Sequence, residues 1–194
     1  EQRQNKEFAI LYRTNAQSRS FEDALRKKNI SYRVYGGLSF YQRKEIKDVL
    51  AYLRLLINPD DEQAFKRIIN FPARGIGQTT LNKIAVEAKN SSVSDYIFIK
   101  DLLKSSEILN NSTKNKLLDF VIMIESIKNK IEQADVFDIT KEVLKQSGLY
   151  NLYKNDESLE GINRIQNIEE LLNGIKDFVE NNEKSQASVS SFLQ

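Results

Sequence analysis

From Lys44 to Asn181 the apolar residues recur at three- and four-residue spacing, and the alternation of a half-buried strand is missing from the span. The clearest stripe is "KEIKDVLAYLRLLI" (44–57), which lines up Ile46, Val49, Leu50, Leu53, Leu56 and Ile57 on one side of a helix. "NPDD" then stops that helix and starts the next, because an aspartate accepts an orphan amide at a helix N-terminus. "EQAFKRIIN" (62–70) and "TTLNKIAVEAKN" (79–90) continue the period. Further helices are expected near 94–104, 113–133, 136–147 and 158–181, separated by "NNST", "SGLYN" and "NDES". "NNEKSQAS" (181–188) reads as an exposed loop, and "VSSFLQ" as the start of another apolar helix. The pattern predicts a mainly α fold.

The first 37 residues read differently. "FAILYRTN" (8–15) opens with a continuous apolar run, Phe8 to Tyr12, that fits a buried strand. "AQSRSFEDALRKKN" (16–29) reads as a helix, with Phe21 and Leu25 at i, i+4. "ISYRVYGG" (30–37) alternates Ile30, Tyr32 and Val34 and closes on a glycine pair, as a second strand would. Strand, helix, strand is too little to bury both faces of a sheet. The expectation is a piece of a larger α/β domain, with both ends of the chain cut.

Composition excludes several chemistries. The 194 residues include no cysteine and no histidine. Disulfides, thiolate or imidazole metal sites and histidine-activated nucleophiles are therefore absent. No G-x-x-x-x-G-K-[ST] phosphate loop occurs, and no G-x-G-x-x-G follows a strand. The carboxylate pairs Asp60–Asp61 and Glu169–Glu170 are neighbours whose side chains diverge on a helix, so caps or solvated faces explain them better than a metal or acid–base site. No catalytic residue or metal ligand is assigned. No apolar run approaches the roughly 18 residues of a membrane span, and "EQRQNKE" lacks a signal peptide's apolar segment. The expected compartment is the cytoplasm, with no membrane partner. Net charge is +2, yet residues 1–89 carry 17 Lys/Arg against 10 Asp/Glu, and residues 90–194 carry 12 against 17. The basic first half suits a polyanion, or is a chance excess on solvated helices.

"NFPARGIGQTTL" (70–81) holds one of the two prolines and two of the seven glycines. It interrupts the helical period. Two readings are open. The glycines serve an ordinary helix–helix corner, or Gly75-Ile76-Gly77 forms a helix–hairpin–helix turn whose backbone approaches a phosphate with no Cβ in the way. In the second reading Ile76 plugs back between the helices. The amides from about Gly77 to Thr80 face the anion at the positive end of the helix dipole, and Arg74 adds a contact. "YRTNAQSR" (12–19) is a second candidate, either a row of donors in Arg13, Asn15, Gln17 and Arg19 for phosphate or base edges, or a helix start capped by Asn15. Phe40 and Tyr41, beside Arg43 and Lys44, suit base stacking, although such aromatics before a helix more often staple into the core.

Together these stretches carry a resemblance. "AILYRTNAQSRSFEDAL", "YRVYGGLSFYQRKEIKDVLAYLRLLINPDD" and "RIINFPARGIGQTTL", in this order and spacing, are similar to the superfamily 1 DNA helicases of the UvrD/PcrA/Rep type. The similarity is close over about residues 8–85 and weaker through "VLKQSGLY" and "RIQNIEELL" to the end. It implies that residues 1–36 are part of a RecA-like motor domain (2A) and residues 37–194 most of a helical, DNA-binding 2B subdomain, truncated at its C-terminus. It implies a 3′-to-5′ ATP-dependent helicase as parent protein, using ATP and Mg2+, with repair or replication proteins among its partners. The nucleotide motifs would lie outside this chain, which needs no cofactor itself and is expected to be inactive alone. Arg13 and Asn15 match a motif that contacts single-stranded DNA. Gly75, Ile76 and Gly77, with Arg74 and Thr79, match an element that grips duplex DNA ahead of the fork. Against this stand a free-standing helix–hairpin–helix module and a protein-interaction domain that docks a partner on the acidic half.

Overall fold

The computed structural model describes residues 4–102, 110–183 and 186–194. Its helices are α1 (Ser18–Lys27), α2 (Lys44–Ile57), α3 (Glu62–Ile68), α4 (Gln78–Asn90), α5 (Asp95–Leu102), α6 (Asn111–Lys128), α7 (Val136–Ser147), α8 (Leu149–Lys154), α9 (Leu159–Glu180) and α10 (Val189–Phe192). Short 3₁₀ turns lie at Asn5–Glu7, Asn15–Gln17 and Phe40–Gln42. Among the described residues there is no strand, and no helix is long and apolar enough to cross a membrane.

The organising element is α2, which packs against α3, α6, α7 and α9. Ile46, Val49, Tyr52, Leu53, Leu55 and Leu56 are all buried, so its apolar surface extends well beyond one stripe. Each such side chain contributes about 1.5–3 kcal/mol on burial. The helix ends at Ile57 because Asn58 turns extended (φ −124°, ψ 96°), the region favoured before a proline. Side-chain caps then start the later helices. The side chains of Asp61, Asn110, Asp135 and Ser158 accept from the amides of Ala64, Thr113, Asp138 and Gly161. Gly148, at φ +81°, stops α7 in the left-handed conformation that glycine tolerates. A ring cluster of Phe65, Tyr96 and Phe120 joins α3, α5 and α6 at centroid distances of 6.2–6.4 Å.

Buried charges lock the helices in register. Asp48 of α2 accepts from Arg67 Nε of α3 (2.7 Å) and from the Tyr153 hydroxyl of α8 (3.0 Å). Arg43 donates to Asn167 Oδ1 of α9 (2.7 Å) and Ser18 Oγ of α1 (2.9 Å). Asn167 in turn donates to Glu45 (2.6 Å). Glu22 of α1 accepts from the Phe40 amide (2.8 Å), the Tyr32 hydroxyl (3.0 Å) and the Ser39 hydroxyl. Groups this deep are tolerated only when paired in this way.

Several expectations need correction. The helices at 16–29, 44–57, 62–70, 79–90, 136–147 and 158–181 form within a few residues of the expected bounds, and that near 94–104 forms over Asp95–Leu102. Residues 103 and 104 of that stretch lie outside the described residues. Neither expected strand forms. Segments 8–12 and 30–35 have no ladder partner, and Phe8, Leu11 and Tyr35 are 63%, 93% and 82% exposed. A strand needs a neighbour for its backbone groups, and the described residues offer none. The separator "SGLYN" contains the start of α8, because Leu149 and Tyr153 are apolar enough to bury. In the expected loop 181–188, residues 184 and 185 lie outside the described residues. Ala187 there is buried, and its carbonyl accepts from the Val136 amide (3.0 Å).

Glu22 sets an acid limit on this packing. Burial alone would raise its pKa, but hydrogen bonds from Ser39, the Phe40 amide, Ser18 and Tyr32 outweigh burial and hold it below the usual carboxylate range. Its contribution is therefore complete above the unfolded pKa and is lost as pH falls through the lowered folded value. Glu22→Gln is expected to lower the urea midpoint at neutral pH, with the gap to the parent closing on acidification. A gap that stays constant down to about pH 3 would contradict this linkage.

Candidate functional site

The corner between α3 and α4 is held from within. Asn70 donates to the Ile76 carbonyl (3.0 Å), while its Oδ1 accepts from the amides of Arg74 (2.9 Å) and Ile76 (3.3 Å). Ile76 is buried in the core and pins the turn, as its apolar character required. Gly75 takes φ +67°, a left-handed angle that strains any other residue, so glycine is needed there for conformation alone. Gly77 differs. Its angles (φ −73°, ψ 152°) are open to most residues, and an added Cβ would meet nothing within 4 Å.

Gly77 is also the N-cap of α4 and brings no side-chain oxygen. Its carbonyl accepts from Thr80 (3.0 Å) and Leu81 (3.2 Å). The amides of Gln78 and Thr79 have no partner among the described residues, and no acidic residue sits in the first turn. Gly75, Gly77, Gln78 and Thr79 are exposed. The result is a bare surface with free donors at the positive end of a helix.

Arg74 is placed otherwise than the sequence implied. Its Nη1 donates to the carbonyls of Ile68 (2.8 Å), Pro72 (3.2 Å) and Ile69 (3.3 Å), and its Nη2 to the Tyr52 hydroxyl (2.7 Å). The guanidinium also lies 5.1 Å from the centre of the Phe120 ring. It caps the end of α3 rather than pointing outward. Tyr52 passes the link on, donating to the Phe71 carbonyl (2.8 Å). Burial raises the Tyr52 pKa, and the neighbouring Arg74 charge works against that rise. Sequence reasoning also missed Lys116 of α6, whose ammonium donates to the Gly75 carbonyl (2.9 Å) across 41 residues of chain.

The second candidate lies elsewhere. Arg13 is exposed, and its amide bonds the Gln17 side chain (2.9 Å). Asn15 begins the turn Asn15–Gln17, and its side chain lies outside the described residues. Arg13 and Gln17 line an open cavity of about 750 Å³ together with Tyr12, Phe21 and the α9 residues Gln166 and Asn173. Arg74 lines a different one, of about 330 Å³. Arg19 was grouped with the exposed donors, yet it is buried and ion-paired to Glu170 (2.8 Å) and Asp23 (3.1 Å). Phe40 is fully buried against Tyr41, which settles that pair as core.

Because Arg74 satisfies the carbonyls of Ile69 and Pro72 and shares that of Ile68 with the Phe71 amide, Arg74→Ala is expected to destabilise the fold by about 1.5–3 kcal/mol. Arg74→Lys should recover little, since an ammonium lacks the planar fork. Urea unfolding measures both. An Arg74→Ala variant as stable as the parent would contradict the capping role.

The family model of the UvrD-like helicase C-terminal domain matches residues 1–194. The ATP-dependent DNA helicase PcrA of Bacillus subtilis (strain 168) is 41% identical over 179 residues, covering 91% of this chain and 24% of that protein. The PcrA helicases of Staphylococcus epidermidis and Staphylococcus aureus are 38% and 37% identical over 189 residues, covering 96% of this chain and 25% of each protein. The chain thus spans about a quarter of the length of the curated relatives it matches.

Proposed function

The chain belongs to the UvrD-like helicase C-terminal domain family, and from that premise we propose that it is the part of a 3′-to-5′ ATP-dependent DNA helicase that holds duplex backbone near the fork. The observation that carries this reading is the corner at Gly75-Ile76-Gly77. Two exposed glycines lead into the unsatisfied amides of Gln78 and Thr79, with the Thr79 hydroxyl beside them. A phosphate can approach that backbone to hydrogen-bond distance, and helix dipole and amides both favour an anion there. Such contacts fix position on a duplex without reading its bases. Ile76 anchors the turn in the manner of a helix–hairpin–helix, and Arg74 serves by holding it rather than by touching phosphate.

Residues 1–36 are assigned to a RecA-like motor domain whose remaining sheet supplies the partners that segments 8–12 and 30–35 lack. Residues 37–194 are assigned to the helical 2B-like subdomain. Arg13, exposed in its cavity, and Asn15 are assigned to the single-strand path. Among the described residues no group of three or more Asp or Glu could hold a metal ion, and the sequence has no phosphate loop. By resemblance to the UvrD/PcrA/Rep helicases, ATP and Mg2+ are assigned to parts of the helicase outside this chain.

The chain is expected to bind double-stranded DNA without sequence preference, at roughly 10⁻⁴ to 10⁻⁶ M and weakening steeply with salt. Gly77→Val is the discriminating variant. The backbone there accepts a side chain in open space, so the variant should stay folded, its thermal midpoint lowered only by valine's poorer N-cap character, while the added methyls hold phosphate away from the amides. Anisotropy titrations across a salt series should show duplex affinity falling several-fold. A folded Gly77→Val that binds as the parent does reduces the stretch to a plain helix–helix corner.

In the complete helicase, Arg13→Ala is expected to weaken single-strand affinity several-fold without loss of stability, because the side chain is exposed. Unchanged single-strand binding and unwinding would remove Arg13 from that path.

A further inference from the structure

Resting on the duplex reading above, we infer that Lys116 of α6 is a second phosphate contact of the same site, supplying the positive charge that the corner's own Arg74, committed to carbonyls, does not. The Lys116 ammonium is fixed at the mouth of the turn by its bond to the Gly75 carbonyl (2.9 Å). That bond uses one of three ammonium protons, and the other two have no partner among the described residues. The side chain is half-exposed, so it faces solvent rather than the core. Of the charged groups lining the adjoining cavity of about 330 Å³, Arg74 is committed to carbonyls and Asp119 forms no ion pair with Lys116.

Gly75 gains a second explanation. A Cβ built at Gly75 would lie 2.9 Å from Lys116 Nζ, well inside contact distance. The missing side chain leaves room for the lysine's flexible end, while the strict requirement for glycine remains φ +67°. Two kinds of donor then flank one stretch of bare backbone. The amides of Gln78 and Thr79 are fixed in direction, and the ammonium is a point charge on a flexible stem. Gly75 and Gln78 are three residues apart, at most about 11 Å along the chain. With one charge per roughly 3.4 Å of axis on each strand, a DNA backbone can present phosphates to both donors together. The arrangement favours a phosphodiester chain over an isolated anion.

The test uses this chain with a fluorescent duplex and the single strand of the same sequence, titrated over a salt series. Lys116→Gln is expected to lower duplex affinity several-fold and to reduce the slope of log K against log salt by about 0.9, the loss of one released counterion. Lys116→Arg should keep the parent's slope, since the charge remains. A Lys116→Gln variant with unchanged slope and affinity, while Gly77→Val loses affinity, would overturn the role of Lys116 and leave the corner reading standing. A Lys116→Gln effect confined to the melting temperature would also overturn it, reducing the lysine to a staple between α6 and the turn. Equal losses on single strand and duplex would reject a duplex-specific seat. If the parent chain binds no duplex at all, both readings fall.

Discussion

The Arg74 guanidinium is the contact on which the geometry of the corner depends. It gathers the last carbonyls of α3, the hydroxyl of Tyr52 on α2 and the ring face of Phe120 on α6 into one cluster. Helices of this kind leave several C-terminal carbonyls without partners, and water usually satisfies them. Here a fixed cation does so instead, and it forces the chain to leave α3 in one direction. Asn70 and Ile76 then need only complete a turn whose entrance is already set. Tyr52 matters because it links this cluster to the most buried helix of the fold, so that the corner inherits the rigidity of the core.

A comparable device operates on α9. Arg19 lies across that helix to reach Glu170 and Asp177, and it does so over Gly174, where any Cβ would collide with the guanidinium. A glycine in the middle of a helix costs about 1 kcal/mol against alanine. The ion pairs and the close approach offset that cost. Both arginines read as surface cations in the sequence, and both are structural in the fold.

These arginines show where the sequence is legible. Helices were readable because long apolar stripes at helical spacing have few other uses, as in α2, α7 and α9. Caps were readable at Asp61 because an acidic residue after a helix stop has a local job. Local pattern carries no information on whether a charged side chain turns in or out, which is decided by partners far along the chain. Arg19 finds Glu170 at a separation of 151 residues, and Lys116 finds Gly75 at 41. The two expected strands failed for a related reason. A continuous apolar run at 8–12 and an alternation at 30–35 are properties of a segment, whereas a strand is a property of a pair. The sequence treats the glycines at 75 and 77 alike, and only the structure separates them: one is required by its backbone angle, the other is not.

That difference bears on why the start of α4 is left uncapped. Asp61, Asn110, Asp135, Ser158 and Ser188 each place an oxygen over the first turn of a helix. An aspartate or serine at position 77 would fit the backbone equally well and would stabilise the helix by a few tenths of a kcal/mol. Its oxygen would also sit over the first turn and compete with an external anion there. An aspartate would further set a negative charge where, in the duplex reading, a phosphate must sit. Glycine at 77 is thus locally unfavourable for the helix and favourable for an external anion. The loss is tolerable because Ile76, Asn70 and Arg74 already fix the turn without help from a cap. In the duplex reading, a loosely held turn would have to be ordered on each encounter with DNA, and that ordering would subtract from the affinity. Rigid support beneath the turn and unsatisfied amides upon it are therefore two halves of one arrangement, and neither would serve a backbone-reading site alone.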